Sequence, residues 1–197
     1  MCPAPILLKG EPQMALMSRE QALALVNEKV SNKNLRKHML AGEAVMRALA
    51  TRLGTDAELW ALTGLLHDLD YDQTAQDPLR HGLVTAEMLE KLGCPAEMIH
   101  AVKAHSEKAP VESTLDQALS CVDPISGFLV SCALIRPEKK LAIVDVEFVK
   151  NRMNEKGFSR NVSREKIKAC EKLGLPLDEF LRIALDAMKA IAGDLGL

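Results

Sequence analysis

A chain of 197 residues with 48% apolar side chains is long enough for a hydrophobic core and too apolar to be disordered. Its formal net charge of −2 excludes a broad basic footprint and argues against binding to long nucleic acid, while leaving room for a small phosphorylated substrate. Aromatic residues make up only 3%, so the core must come from Leu, Ala, Val, Ile and Met. That supply favours helices over strands, and an all-α fold is expected.

Residues 1–17 carry three prolines and little pattern, which predicts a loose arm. The opening MCPAPILLKGEP has neither a basic region nor a long apolar run, so it does not read as a signal peptide. Ser18 and Gln21 form a capping box that opens a helix to about residue 30. Ser31 or Asn32 can cap the next helix, over 34–53, which Gly54 stops. Thr55 and Glu58 suggest a second capping box, for a helix over 57–68. A polar loop, DYDQTAQDPLR, follows, then helices over 82–92, 96–106, 115–122 and 125–135. The stretch 118–135 is largely apolar, but Asp123 in its middle argues for a buried core segment and against a membrane span. Beyond residue 136 the chain is more charged, with helices expected over 145–155, 164–173 and 178–195. The organisation expected is a helical core over 18–136 with a helical appendage, 137–197, packed on it.

The five cysteines, Cys2, Cys94, Cys121, Cys132 and Cys170, are odd in number, widely spaced and without a CxxC pair. Reduced thiols in a cytoplasmic protein are expected, not a disulfide framework or a zinc knuckle. Helices rich in Leu and Met are compatible with a homodimer.

Five histidines carry the chemical signal. His67 ends the apolar run WALTGLLHDL, with Gly64 on the same helix face and Asp68 directly after it. Alone this reads as a core histidine before a helix-terminal aspartate. His38 repeats the arrangement, with Ala41 and Gly42 on its own helix face. A glycine inside a helix costs about 1 kcal/mol relative to alanine, and beside a histidine it leaves room for another helix or an ion. Asp123 precedes Pro124 and has two readings: cap of a helix starting at Ile125, or a buried carboxylate that needs a compensating cation. His81 opens HGLVTAEML and His105 ends IHAVKAH; His100 shares a face with His105 poorly and is left out. Imidazoles with carboxylates suit Fe, Mn, Co, Ni or Zn, and Mg less well.

A histidine, an adjacent His-Asp pair and a distant aspartate, in that order and in a helical setting, resemble the HD-domain superfamily of metal-dependent phosphohydrolases. The phrase LLHDLDYDQT…DPLRHGLVTAEML is similar to a subgroup of small HD hydrolases. The resemblance implies that His38, His67, Asp68 and Asp123 hold a divalent metal ion, and that His81 and His105 hold or help a second. It departs from the cyclic-di-GMP phosphodiesterase branch, because Leu69-Asp70-Tyr71 follows the pair where that branch has Gly-Lys, and no Gly-Tyr-Pro occurs.

The reaction implied is attack of metal-activated water on a phosphomonoester or phosphodiester, a nucleotide among the candidates, with Asp68 at the centre. Asp70 or Asp72 is a candidate to orient water, although both are expected to be solvated in the polar loop. Arg80, beside His81, is a candidate phosphate ligand. The basic run Lys150, Arg152, Lys156, Arg160 and Arg164 reads first as a solvated face and second as a substrate-phosphate site. Two other classes stay open: a di-iron oxygenase of the HD type, and a non-catalytic binding or regulatory module.

Overall fold

The computed structural model describes residues 16–197; the arm expected over 1–17 falls almost wholly outside the described residues, as does Cys2. Ser18 accepts from the Gln21 N–H while the Gln21 side chain accepts from Ser18, so the capping box forms and starts α1, Arg19–Lys29. Asn32 caps α2, Lys33–Leu53, through the N–H groups of Asn34 and Leu35. Met39, Gly42, Val45, Met46 and Leu49 are buried along α2 at a spacing of three to four residues, which makes one apolar stripe.

The cap of α3, Ala57–Leu66, is Asp56 and not Thr55. The Asp56 carboxylate accepts from the N–H groups of Glu58 and Leu59, both at 3.0 Å, and a carboxylate at a helix N-terminus is a better cap than a threonine hydroxyl. From Leu59 to Leu66 every residue of α3 is buried, as expected of a helix surrounded by others. The helix stops one residue before His67. The polar loop that follows is partly structured: it holds a short helix, α4, Tyr71–Thr74.

Then come α5, Leu83–Lys91, and α6, Ala96–His105. The two helices expected over 115–135 are one, α7, Thr114–Leu134, with Pro124 inside it. Proline lacks an N–H and forfeits one helix bond. The apolar faces on either side, from Leu115 and Leu119 through Ile125, Phe128 and Leu129 to Cys132, are all buried, and that burial outweighs one lost bond. Asp123 is therefore mid-helix and caps nothing. The helix is long and apolar enough to cross a membrane, but 61% of its most apolar stretch is buried inside the bundle, which agrees with a core segment.

After a 3₁₀ turn at Leu141–Ile143, the chain adds α8, Val146–Asn154, capped by Asp145. It continues with α9, Arg164–Lys168, and a 3₁₀ segment Ala169–Leu173, where one helix was expected. The last expected helix is also divided, into α10, Leu177–Ala190, and α11, Ala192–Leu195. No strand occurs among the described residues, so the fold is all-α.

The packing centres on α2, which lies against α3 along much of its length and also meets α7 and α10. One apolar core runs from Ala22 to Leu195 and takes Val149, Ile167, Phe180, Leu181 and Met188 from the C-terminal third. Cys94, Cys121, Cys132 and Cys170 are buried free thiols within it. Burial pushes the thiols of Cys132 and Cys170 up to about 12.

Candidate metal centre

The site is built where α2 crosses α3. A Cβ on Gly42 would lie 2.8 Å from the Gly64 carbonyl oxygen, and one on Gly64 would lie 2.5 Å from that of Gly42. The two glycines thus let the helix backbones touch. One turn along each helix from that contact, His38 Nε2 and His67 Nε2 lie 3.2 Å apart.

Asp68 follows His67 and sits between two groups of nitrogen donors. Its Oδ2 is 3.5 Å from His38 Nε2 and 3.4 Å from His67 Nε2. Its Oδ1 is 3.3 Å from His105 Nε2 and 3.6 Å from His81 Nε2. Two overlapping clusters result, His38–His67–Asp68 and Asp68–His81–His105, with Asp68 common to both. Asp123 lies at the rim, its Oδ1 3.3 Å from His38 Nε2 and 4.0 Å from His67 Nε2. His67, Asp68 and His105 are buried, whereas the side chains of His38, His81 and Asp123 are 20%, 21% and 35% exposed. The cluster therefore has a closed floor and an open edge, and Asp123, expected to be buried, belongs to the edge.

Each imidazole is held by its other nitrogen. His67 Nδ1 donates to the Gly64 carbonyl at 2.9 Å, and His105 Nδ1 to the Val102 carbonyl at 2.5 Å. His81 Nδ1 donates to Asp70 Oδ1 at 2.9 Å. His38 Nδ1 donates to Ser126 Oγ at 2.8 Å, and that hydroxyl in turn donates to the Asp123 carbonyl at 3.0 Å. With all four Nδ1 atoms donating outward, all four Nε2 atoms face the interior of the cluster. This is how metal-binding histidines are oriented.

The electrostatics point the same way. Burial pushes His67 down to about 4. Burial also opposes a charge on His38, but its hydrogen bonds to Asp123 and Asp68 and their negative charge prevail and raise it to about 10. Burial opposes the charge of Asp68, yet the surrounding histidines hold it well below the usual carboxylate range. Two carboxylates facing these imidazoles favour a cation among them. The donor set of imidazole nitrogens and carboxylate oxygens fits a first-row divalent ion.

Asp70, expected in a solvated loop, is fully buried. Besides His81, it accepts from the N–H groups of Gly82 at 2.8 Å and Thr85 at 3.0 Å, and its own N–H donates to Thr85 Oγ1. The start of α5 folds over it, through Gly82 at φ 79°, a conformation that suits glycine. Both oxygens accept hydrogen bonds from the protein, which ties Asp70 to His81 and to the start of α5. Asp72 is exposed and ties the start of α2 through the N–H groups of Ser31 and Asn32. Arg80 is exposed in the turn before His81. His100 lies outside the cluster, 3.0 Å from Asp116. From the basic run, Arg164 is turned inward, bonding the carbonyls of Ser159 and Val162 and covering the Phe128 ring. Lys150 and Arg152 pair with Asp178 and Glu155.

Sequence reasoning missed Ser126 and Thr85, which are isolated hydroxyls without a pattern. The spacing of Ser126 three residues after Asp123 was the one available signal for either.

The family model described as HD domain matches residues 35–146, a span that holds every candidate ligand from His38 to Asp123. The chain is similar to Ribonuclease Y of Nitratidesulfovibrio vulgaris (strain DP4), 33% identical over 98 residues, or 49% of this chain and 18% of that protein. It is similar to Ribonuclease Y of Oleidesulfovibrio alaskensis, 30% identical over 98 residues, again 49% and 18%. For Ribonuclease Y of Desulfotalea psychrophila the figures are 29% over 94 residues, 48% and 18%. The chain thus spans less than a fifth of the length of these relatives. No solved structure matches it.

Proposed function

The chain belongs to the HD-domain family, and on that premise we propose that it is a metal-dependent phosphohydrolase acting on a small phosphoester such as a nucleotide. The observation that supports this best is the pair of donor clusters joined at Asp68. His38, His67 and Asp68 would hold one divalent ion, and Asp68, His81 and His105 a second, with Asp123 completing the first at the open edge. The identity of the ion stays among Fe, Mn, Ni, Co, Zn and Mg. A bound divalent ion supplies hydroxide near neutral pH and neutralises a phosphoryl oxygen.

The protein's own part is preorganisation. The four Nδ1–H groups donate to Gly64, Val102, Asp70 and Ser126, so the four Nε2 atoms already face the cluster. Buried His67, Asp68 and His105 keep water from the floor. The exposed edge, at His38 and Asp123, admits the ester. Asp70 acts through His81 and is a positioning residue. Arg80 remains a candidate phosphate ligand on its adjacency to His81.

A second reading is hydrolysis of an RNA phosphodiester, favoured by likeness to proteins named Ribonuclease Y. Metal-stripped protein, reconstituted with each ion in turn, should be assayed on p-nitrophenyl phosphate, its bis ester, a nucleotide panel and a short oligoribonucleotide. Metal-dependent hydrolysis that Asp68→Ala abolishes is expected. Cleavage of the oligoribonucleotide alone selects the second reading. Two irons per chain with no hydrolysis selects the oxygenase. Full activity in Asp68→Ala refutes the mechanism.

A further inference from the structure

The cleft over the open edge is completed by chain that the family match does not reach. His38 and Asp123 line it together with Glu107, Asn161, Ser163 and Lys166, around a space of about 410 Å³, the size of a small-ligand site. Apart from His38, Lys166 is the one basic side chain in that lining.

Lys166 is held firmly by its backbone. Its N–H donates to the Ser163 hydroxyl, and the next residue, Ile167, is fully buried in the core. Its ammonium lies 2.8 Å from Glu107 Oε1 and 3.4 Å from the carbonyl oxygen of His105. A lysine ammonium has three donors, so one is left for a ligand. Glu107 is 76% exposed, and an ion pair so exposed adds little to stability. What the pair does do is keep a cation beside the metal cluster, on the backbone of one of its histidines.

A phosphoryl group brings several charged oxygens, and a metal ion does not satisfy all of them. We propose that Lys166 is the phosphate anchor of this site. Its ammonium takes a non-bridging oxygen of an ester lying at the His38–Asp123 edge, and Glu107 is the counter-ion that parks it there when no ester is bound. The anchor rests on the hydrolase reading above. It assigns substrate recognition to the C-terminal third of the chain.

Inorganic phosphate is the probe. Its affinity for full-length protein reconstituted with Mn²⁺ should be measured by calorimetry, with metal content and melting temperature recorded for each variant. Lys166→Ala should weaken phosphate binding roughly tenfold or more, the scale of one charge-assisted hydrogen bond, with metal content unchanged. Lys166→Gln, which keeps the stem, should show the same loss, and Lys166→Arg should recover most of it. Glu107→Gln should leave phosphate binding unchanged or tighten it, because a competing carboxylate is gone. An ion pair of purely structural value would fail alike from both ends. Equal weakening by Lys166→Gln and Glu107→Gln, or no weakening by either lysine variant, overturns the anchor while wild-type binding keeps the hydrolase reading. A wild type with no metal-dependent phosphate binding overturns both.

Discussion

The carbonyl oxygen of Gly42 occupies the place that a side chain on Gly64 would need: a Cβ there would sit 2.5 Å from it. The contact sets the distance between α2 and α3, and through it the 3.2 Å approach of His38 and His67. Gly64→Ala gains helix propensity of about 1 kcal/mol but must push two backbones apart. We expect a net loss of about 1–3 kcal/mol, the usual scale of overpacking, with weakened metal binding. Gly127→Ala is the contrast: no other side chain or neighbouring helix lies within 4 Å of its added Cβ, so it should stabilise by up to about 1 kcal/mol. Chemical denaturation of both variants checks the pair, and equal responses would refute the close-crossing argument.

Asp70 tests the positioning of His81. Asp70→Asn can still accept from His81 but turns an N–H₂ group toward the N–H groups of Gly82 and Thr85. Metal affinity should fall roughly 10–100-fold, as for other residues that orient a ligand. Competition with a chelating dye measures it. Wild-type affinity in this variant would mean that His81 needs no such support.

Asp116 offers a pH test away from the metal centre. Burial opposes its charge, but the N–H groups of Glu112 and Ser113 and the His100 ring hold its carboxyl below the ordinary aspartate value. A folded value below the unfolded one means stability present above the unfolded value and lost as pH falls through the folded one. Asp116→Asn should cost about 1–3 kcal/mol near neutrality, and the gap to wild type should close below about pH 4. Urea melts across that range check it; a gap independent of pH would contradict the linkage.

Phe180 tests whether the C-terminal third is part of the core. It is fully buried on α10, which packs against α2 and α7. Phe180→Ala should destabilise the whole fold by about 3–5 kcal/mol in one transition. A separate early transition would show that residues 137–197 fold apart from the rest.

Much of the helical plan was legible because it is local: Ser18 with Gln21, Asn32, Gly54 and Asp145 act within one turn of their own helices. Pro124 misled for the opposite reason. Proline disfavours a helix locally, and only burial on both sides of α7 overrides it. The metal-site candidates were legible as a resemblance, His38, His67-Asp68 and Asp123 in order, with glycines beside the histidines. That these glycines leave room for another helix was legible; that they face each other, across 22 positions of chain, was not. Asp70 looked solvated among polar neighbours until α5 closed over it, and Lys166 lies just beyond the basic run that the sequence marked.

Asp68 is common to two clusters of candidate metal ligands. The most direct test is metal analysis of full-length protein purified without chelators, for wild type and Asp68→Ala, with uptake measured after adding each divalent ion. One or two divalent ions per wild-type chain are expected, one for each cluster filled, with a loss at both clusters in Asp68→Ala. A wild type that holds no metal and takes up none, or an Asp68→Ala variant that keeps the full complement, would contradict this expectation.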